Sequence, residues 1–170
     1  MSGLSSRIST TPPRLAARWT KRAAFLLVCA TAFTLAPALH AQTPEEAAVL
    51  APVHRLFDGM AKADPGLMRS ALTPGGSLTS FRHGALRQAP LRDMVDNAPA
   101  GWKPGVFEEK IRNPIIHIDD NVAVVWAPYG FYIDKHPHHC GTDIFNLVKV
   151  NGKWLIAGAE DNSHESCPGW

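Results

Sequence analysis

Residues 129–170 read YGFYIDKHPHHCGTDIFNLVKVNGKWLIAGAEDNSHESCPGW. Together with the apolar run before them they contain three strand-like stretches, Val122–Ile133, 139–150 and 153–159, rich in Val, Ile, Phe, Tyr and Trp. The joints between them are short. Residues 134–137 carry Pro and charge, as a loop does. Asn151-Gly152 is the strongest two-residue hairpin signal, because a type I′ turn needs positive φ at both positions. The three strands therefore predict an antiparallel meander.

Working outward from this block, residues 107–118 read as one more strand, marked as an edge or a bulge by Asn113-Pro114, since proline cannot donate to a ladder. Residues 78–81 and 85–88 flank Arg82-His83-Gly84 as a tight hairpin, and 90–97 carries Leu91, Met94 and Val95 at helical spacing. Ahead of these, Thr43-Pro44-Glu45-Glu46 is a capping box with Pro at the first helical position. Leu50, Val53, Phe57 and Met60 then recur every three or four residues as one apolar stripe, with Pro52 predicting a kink. Asp64-Pro65 opens a second, short helix in the same manner, ended by residues 73–76. Helices grouped ahead of an antiparallel sheet argue for an α+β fold.

Residues 1–41 have the three parts of a secretory signal peptide. Arg7, Arg14, Arg18, Lys21 and Arg22 form a basic region, 23–36 an apolar one, and Ala41 is a small residue before the expected cut. The apolar run is shorter than the roughly 20 residues of a bilayer span. The expected location is thus periplasmic or secreted, with no stable membrane anchor after cleavage. This leader holds five of the 17 Lys and Arg and none of the 15 Asp and Glu, so the rest has 12 basic against 15 acidic residues, a net of −3. With no basic run left, nucleic acid is excluded as an expected partner. Residues 42–170 suffice for one domain with one core.

Cys29 departs with the leader, leaving Cys140 and Cys167 as an even pair in an oxidising compartment. A disulfide between them is expected; by the chain-entropy model closing that loop is worth about 3–4 kcal/mol.

The capped helix pair ending at Asp64-Pro65, the run NVAVVWAPYGFYID, the segment HCGTDIFNLVKVNGKW with Trp154, and the trailing Asp161 resemble the nuclear transport factor 2-like superfamily, particularly its secreted bacterial SnoaL-like and ketosteroid-isomerase-like domains. The resemblance covers about residues 45–163. It implies a cystatin-like fold, in which a curved antiparallel sheet is wrapped by the N-terminal helices into a cone with an internal pocket. It also implies three functions: binding a small apolar or aromatic ligand; an isomerase, dehydratase or cyclase using a pocket His or Asp for proton transfer; or a dimeric interaction module, as a homodimer. Relatives on this fold include ketosteroid isomerases, scytalone dehydratases and polyketide cyclases.

Strand alternation sorts the candidate residues. His139, Gly141, Asp143, Phe145 and Leu147 share one face of their strand; Val125, Ala127, Tyr129 and Phe131 share one face of the partner, with Trp126 opposite. Four residues along a strand separate His139 from Asp143 by about 13 Å, too far for a hydrogen-bonded dyad without a bulge. They are the candidate catalytic pair for proton transfer. The alternative is that both satisfy backbone groups at the sheet rim. The expected ligand-binding set is Trp126, Tyr129, Phe131, His139 and Asp143. Trp102 and Trp170 fall in loops, where each caps the mouth or packs on the sheet.

His136, His138, His139 and Cys140 are too closely spaced for a tetrahedral zinc site, so a loop of solvated histidines is expected and no metal or cofactor. No nucleophile elbow, phosphate loop or dinucleotide fingerprint occurs. Glu108-Glu109 and Asp119-Asp120 are adjacent in sequence and are not expected to form acid–base pairs.

Overall fold

The structure, a computed structural model, describes residues 42–97, 99 and 102–170. The expected signal peptide and Cys29 lie outside these residues, as do Ala98, Ala100 and Gly101.

Helix α1 spans Pro44–Lys62 and begins with the expected capping box. The Thr43 N–H donates to Glu46 Oε2 (2.7 Å) and the Glu46 N–H to Thr43 Oγ1 (3.2 Å), so two of the donors left free at a helix start are satisfied reciprocally. The predicted stripe is buried together with Leu56 beside it, Val49 joins it, and the helix runs on through Pro52 to Lys62. Ala63 ends α1 in the left-handed conformation (φ 53°). Asp64 then caps α2 (Pro65–Arg69), accepting from the Leu67 N–H at 2.9 Å. A Cβ on Gly59 would stand 2.8 Å from the Met68 backbone nitrogen, so only glycine lets the two helices touch there.

The sheet has seven strands: β1 (Leu72–Arg82), β2 (Ala85–Pro90), β3 (Phe107–Ile111), β4 (Ile115–Asp119), β5 (Val122–Ile133), β6 (His136–Val150) and β7 (Lys153–Asn162). Their order is β2-β1-β7-β6-β5-β3, with β4 also paired to β5. β3 and β4 are the single strand expected over 107–118, broken at Asn113-Pro114, where Asn113 takes φ 44°. The Asn151-Gly152 turn joins β6 to β7 with φ 50° and 76°, both positive, as its side-chain chemistry requires.

The sheet is mixed rather than wholly antiparallel, because β1 runs parallel to β7. Nothing local in either strand announces this pairing; it is set by the helices, which deliver β1 to the far edge of the meander. Residues 73–76 lie inside β1, where the register with β7 shifts between Leu72 and Ser77, so the Pro and Gly mark an irregular strand and not a loop. The third helix, α3, is only the turn Asp93–Asp96, since Pro90 belongs to β2. The histidine run is also strand and not loop. A two-residue turn at Asp134-Lys135 leads directly into β6, and a register shift between Phe131 and Tyr132 absorbs one extra residue there.

The core lies between the helices and the sheet's inner face. Val53, Leu56, Val125, Leu147 and Ile156 are all at most 2 % exposed. Burying each such side chain is worth about 1.5–3 kcal/mol. The Phe57 ring meets Phe145 edge-on at 5.9 Å, fixing α1 over β6. Beyond β7 the chain folds back: His164 bridges Cys140, and Cys140 and Cys167 are joined by a disulfide with Cα atoms 5.7 Å apart. The Trp170 ring ends against Gly130, with the Arg112 guanidinium 3.8 Å above it. Trp170 thus packs on the sheet, whereas Trp102 faces the interior and donates from its indole N–H to the Met60 carbonyl (3.0 Å).

Candidate functional site

Where the helices stop covering the inner face, the fold leaves a cavity of about 640 Å³. The helices line it with apolar side chains only, Leu56, Phe57, Met60 and Met68, and Trp102, Phe107, Phe131 and Phe145 extend that wall. The strands supply the polar base: Ser80 and Arg82 from β1, Glu109 from β3, His139 and Asp143 from β6, and Asp161 from β7. An apolar body with a few convergent polar groups is the form of a small-molecule site.

Two clusters make up the base. In the first, Asp161 accepts from the Ser80 hydroxyl at one carboxylate oxygen and from the Arg82 guanidinium at the other. Ser80 and Asp161 stand opposite each other in the parallel β1–β7 ladder, so this cluster follows from the crossover. In the second, the Glu109 and Asp143 carboxyls lie close enough to interact with each other. Two carboxylates cannot donate, so a hydrogen bond between them needs a proton on one.

Burial drives the titration of this second cluster. It pushes Glu109 up to about 7, its hydrogen bond from Asp143 working the other way. Asp143, 5 % exposed, is raised well above the carboxylate range by burial, then by the charge and hydrogen bond of Glu109. The His139 ring is pushed down to about 4, by burial first and then by Arg82 and His138. Its Nε2 and Asp143 Oδ2 are buried without a hydrogen-bonding N–H or O–H among the described residues.

The residues picked out from the sequence are distributed unevenly around this site. His139, Asp143 and Phe131 line the cavity, and the His139 ring stacks on Phe131 at 4.8 Å. Asp143 finds its carboxyl partner in Glu109 rather than in His139. Tyr129 is 1 % exposed and lies behind His139, its phenol donating to the Asn162 carbonyl (2.9 Å), so it supports the base instead of lining it. Trp126 does not line the cavity. It is 41 % exposed on the outer face, because strand alternation points it away from Tyr129 and Phe131. Glu109, Asp161, Arg82 and Ser80 were not among the expected site residues. Alternation does send Glu109 away from Glu108, which instead meets Lys110 at 3.2 Å, but its partner comes from another strand. Among the described residues, no group of three His, Cys, Asp or Glu is placed to hold a metal ion.

Comparison with known proteins places this geometry. A family model described as "Putative lumazine-binding" matches residues 44–159. No curated protein matches the chain. Among solved structures, a nuclear transport factor 2-like protein of unknown function from Shewanella baltica OS155 is 26 % identical with TM-score 0.55, the match covering 72 % of this chain and 95 % of that one. A protein of unknown function with a cystatin-like fold from Nostoc punctiforme is 15 % identical with TM-score 0.61, over 74 % and 96 %. A nuclear transport factor 2-like protein of unknown function from Methylobacillus flagellatus KT is 17 % identical with TM-score 0.57, over 74 % and 96 %. The latter two similarities bear on the fold alone.

Proposed function

Since the chain belongs to the family whose model spans residues 44–159, within the nuclear transport factor 2-like superfamily, we propose that it is an exported small-molecule-binding protein whose ligand occupies the cone cavity. The observation that carries this reading is the division of the cavity into apolar walls and a polar base. A ligand with an apolar or aromatic body and one polar end fits that division. Support for export, to the periplasm or outside the cell, comes from the signal-peptide pattern of 1–41 and from the Cys140–Cys167 bridge, which suits an oxidising compartment.

The test is native mass spectrometry of protein recovered from its own compartment, followed by titration of the emptied protein with apolar-bodied compounds. Lumazine, named in the family's description, comes first among them. A retained ligand, or saturable binding abolished by Phe145→Arg in a folded variant, supports the reading. A cavity that takes up no compound of this kind overturns it.

A second reading is favoured by the proton shared between Glu109 and Asp143. A carboxyl that titrates near 7 inside a cavity is matched to proton transfer at neutral pH, so turnover by an isomerase, dehydratase or cyclase is the alternative to binding alone. The outer face bears on oligomeric state. Val122, Val124, Trp126 and Ile115 are 38–51 % exposed there, and we propose that they meet a second copy in a homodimer. Sedimentation of wild type against Val124→Lys decides it: a monomeric wild type removes the dimer.

A further inference from the structure

We propose that the polar end of the ligand is cationic, a protonated amine or amidine received between Glu109 and Asp143. This rests on the cavity being a ligand site, as proposed above.

The argument begins with what the base lacks. Glu109 and Asp143 face the cavity from β3 and β6, and neither is ion-paired with a guanidinium or ammonium among the described residues. Arg82 from β1 is paired with Asp161 of β7; its charge also reaches Glu109 and Asp143, and its Nε–H is buried without an acceptor among the described residues. Arg87, the other cationic residue of the lining among those described, sits on β2, whose residues are exposed throughout. Glu160 of β7 adds a further carboxyl, hydrogen-bonded to Asn146 at 3.0 Å. Tyr129 of β5 has its phenol committed to Asn162. α1 and α2 bring no charge to the lining. The base is therefore acidic on balance, with Glu109, Asp143, Glu160 and Asp161 against Arg82 and Arg87, and Glu109 and Asp143 are compensated only by a shared proton and by the charge of Arg82, with which neither is paired.

Asp143 makes the arrangement a site rather than a cluster. It is 95 % buried, and its Oδ2 is an acceptor with no donor. Such an acceptor costs about 1–3 kcal/mol when left unmet. The imidazole Nε2 of His139 is likewise unmet, and it is an acceptor when the neutral ring carries its proton on Nδ1, 2.9 Å from His138 Nδ1. An N–H-bearing cation meets both and replaces the shared proton as counter-charge. The rings of Phe57, Phe131, Phe145 and Trp102 give its body and its charge a π-rich wall. An anion would meet like charge, and a neutral donor would leave the excess acid uncompensated.

Cation binding draws both carboxyls toward the ionised state. Up to one proton leaves to solvent as the ligand enters, so affinity rises with pH.

The test uses displacement of the neutral fluorophore N-phenyl-1-naphthylamine by three compounds of one shape: benzamidine, benzamide and benzoate. At about pH 8 benzamidine is expected to bind at least about tenfold more tightly than either of the others, as charge-assisted hydrogen bonds predict. That advantage shrinks toward pH 5. Calorimetry in buffers of different ionisation enthalpy should register proton release with benzamidine alone. Glu109→Gln and Asp143→Asn, each checked for a native circular dichroism spectrum, should bring the benzamidine to benzamide ratio to within about threefold. If the fluorophore binds but benzamide or benzoate equals benzamidine, the cationic assignment falls and the cavity reading stands. If neither the fluorophore nor any of the three compounds binds, the cavity reading itself fails and this assignment with it.

Discussion

Glu109 and Asp143 interact across an intervening strand, although Glu109 stands opposite Phe131 and Asp143 opposite Ala127, four residues apart along β5. On a flat sheet that offset alone would be about 13 Å. The curvature of the inner face closes it. Between them lies Gly141, opposite Tyr129, where a side chain would run into Asn162.

Replacing Glu109 by Gln should change how stability depends on pH. The native Glu109 pKa lies above its ordinary 4.5, at about 7, so the folded state holds the proton more tightly than the unfolded one. The stability contributed by that proton is full below about 4.5 and is lost as pH rises through about 7. Thermal denaturation of Glu109→Gln should therefore show a gain over wild type at pH 8 and none at pH 4. A variant that loses stability equally at both values contradicts the assignment.

His139 carries the opposite sign. Its native pKa is lowered from 6.5 to about 4, so the stability of the neutral ring is full above 6.5 and is lost as pH falls through about 4. Across pH 4.5–6.5 it opposes Glu109, which flattens the wild-type profile. In His139→Asn the contributions of Glu109 and Asp143, both raised and so of one sign, are left unopposed by His139, and stability should rise as pH falls from 7 to 5. Nuclear magnetic resonance of the His139 ring protons should place its midpoint near 4.

Reduction of the Cys140–Cys167 bridge, or Cys140→Ser with Cys167→Ser, should lower the unfolding free energy by about 3–4 kcal/mol at unchanged denaturant slope. The freed tail should also release Trp170, raising its access to a soluble quencher. Stability indifferent to reductant would mean that the tail is held by its other contacts.

Gly130→Ala and Gly141→Ala separate a movable neighbour from a fixed one. At Gly130 an added methyl meets the Trp170 ring, a side chain that can turn away. The expected result is a red-shifted Trp170 emission and less than about 1 kcal/mol of lost stability. At Gly141 it meets the carbonyl of Asn162, which also receives the Tyr129 hydroxyl. There the loss should reach about 1–3 kcal/mol, read from chemical denaturation.

Local chemistry made much of this fold legible. The capping box at Thr43, the N-cap at Asp64 and the Asn151-Gly152 turn each depend on residues within four positions, and each stands where the sequence placed it. Alternation sent His139, Asp143 and Phe131 to the cavity and Trp126 to the outer face, which is why including Trp126 among the lining residues was a mistake. What escaped was non-local. Asp161 meets Ser80 and Arg82 only because β1 lies parallel to β7, and Glu109 meets Asp143 only because the sheet curves. Neither the parallel pairing nor the curvature leaves a mark in a short window of sequence.

The position of β7 has a consequence for the order of assembly. It is the last strand in the chain, yet it lies inside the sheet, between β1 and β6. Until residues 153–162 are available, the β1–β2 hairpin has no edge to join and β6 has one edge open, so Ser80 and Arg82 cannot reach the rest of the base. Closing β1 onto β7 links residues about eighty positions apart, a contact that is slow to form. A chain still short of β7 therefore carries Arg82, Glu109, His139 and Asp143 before it has a cavity, and the arrival of Asp161 with β7 is expected to complete that chamber late in folding.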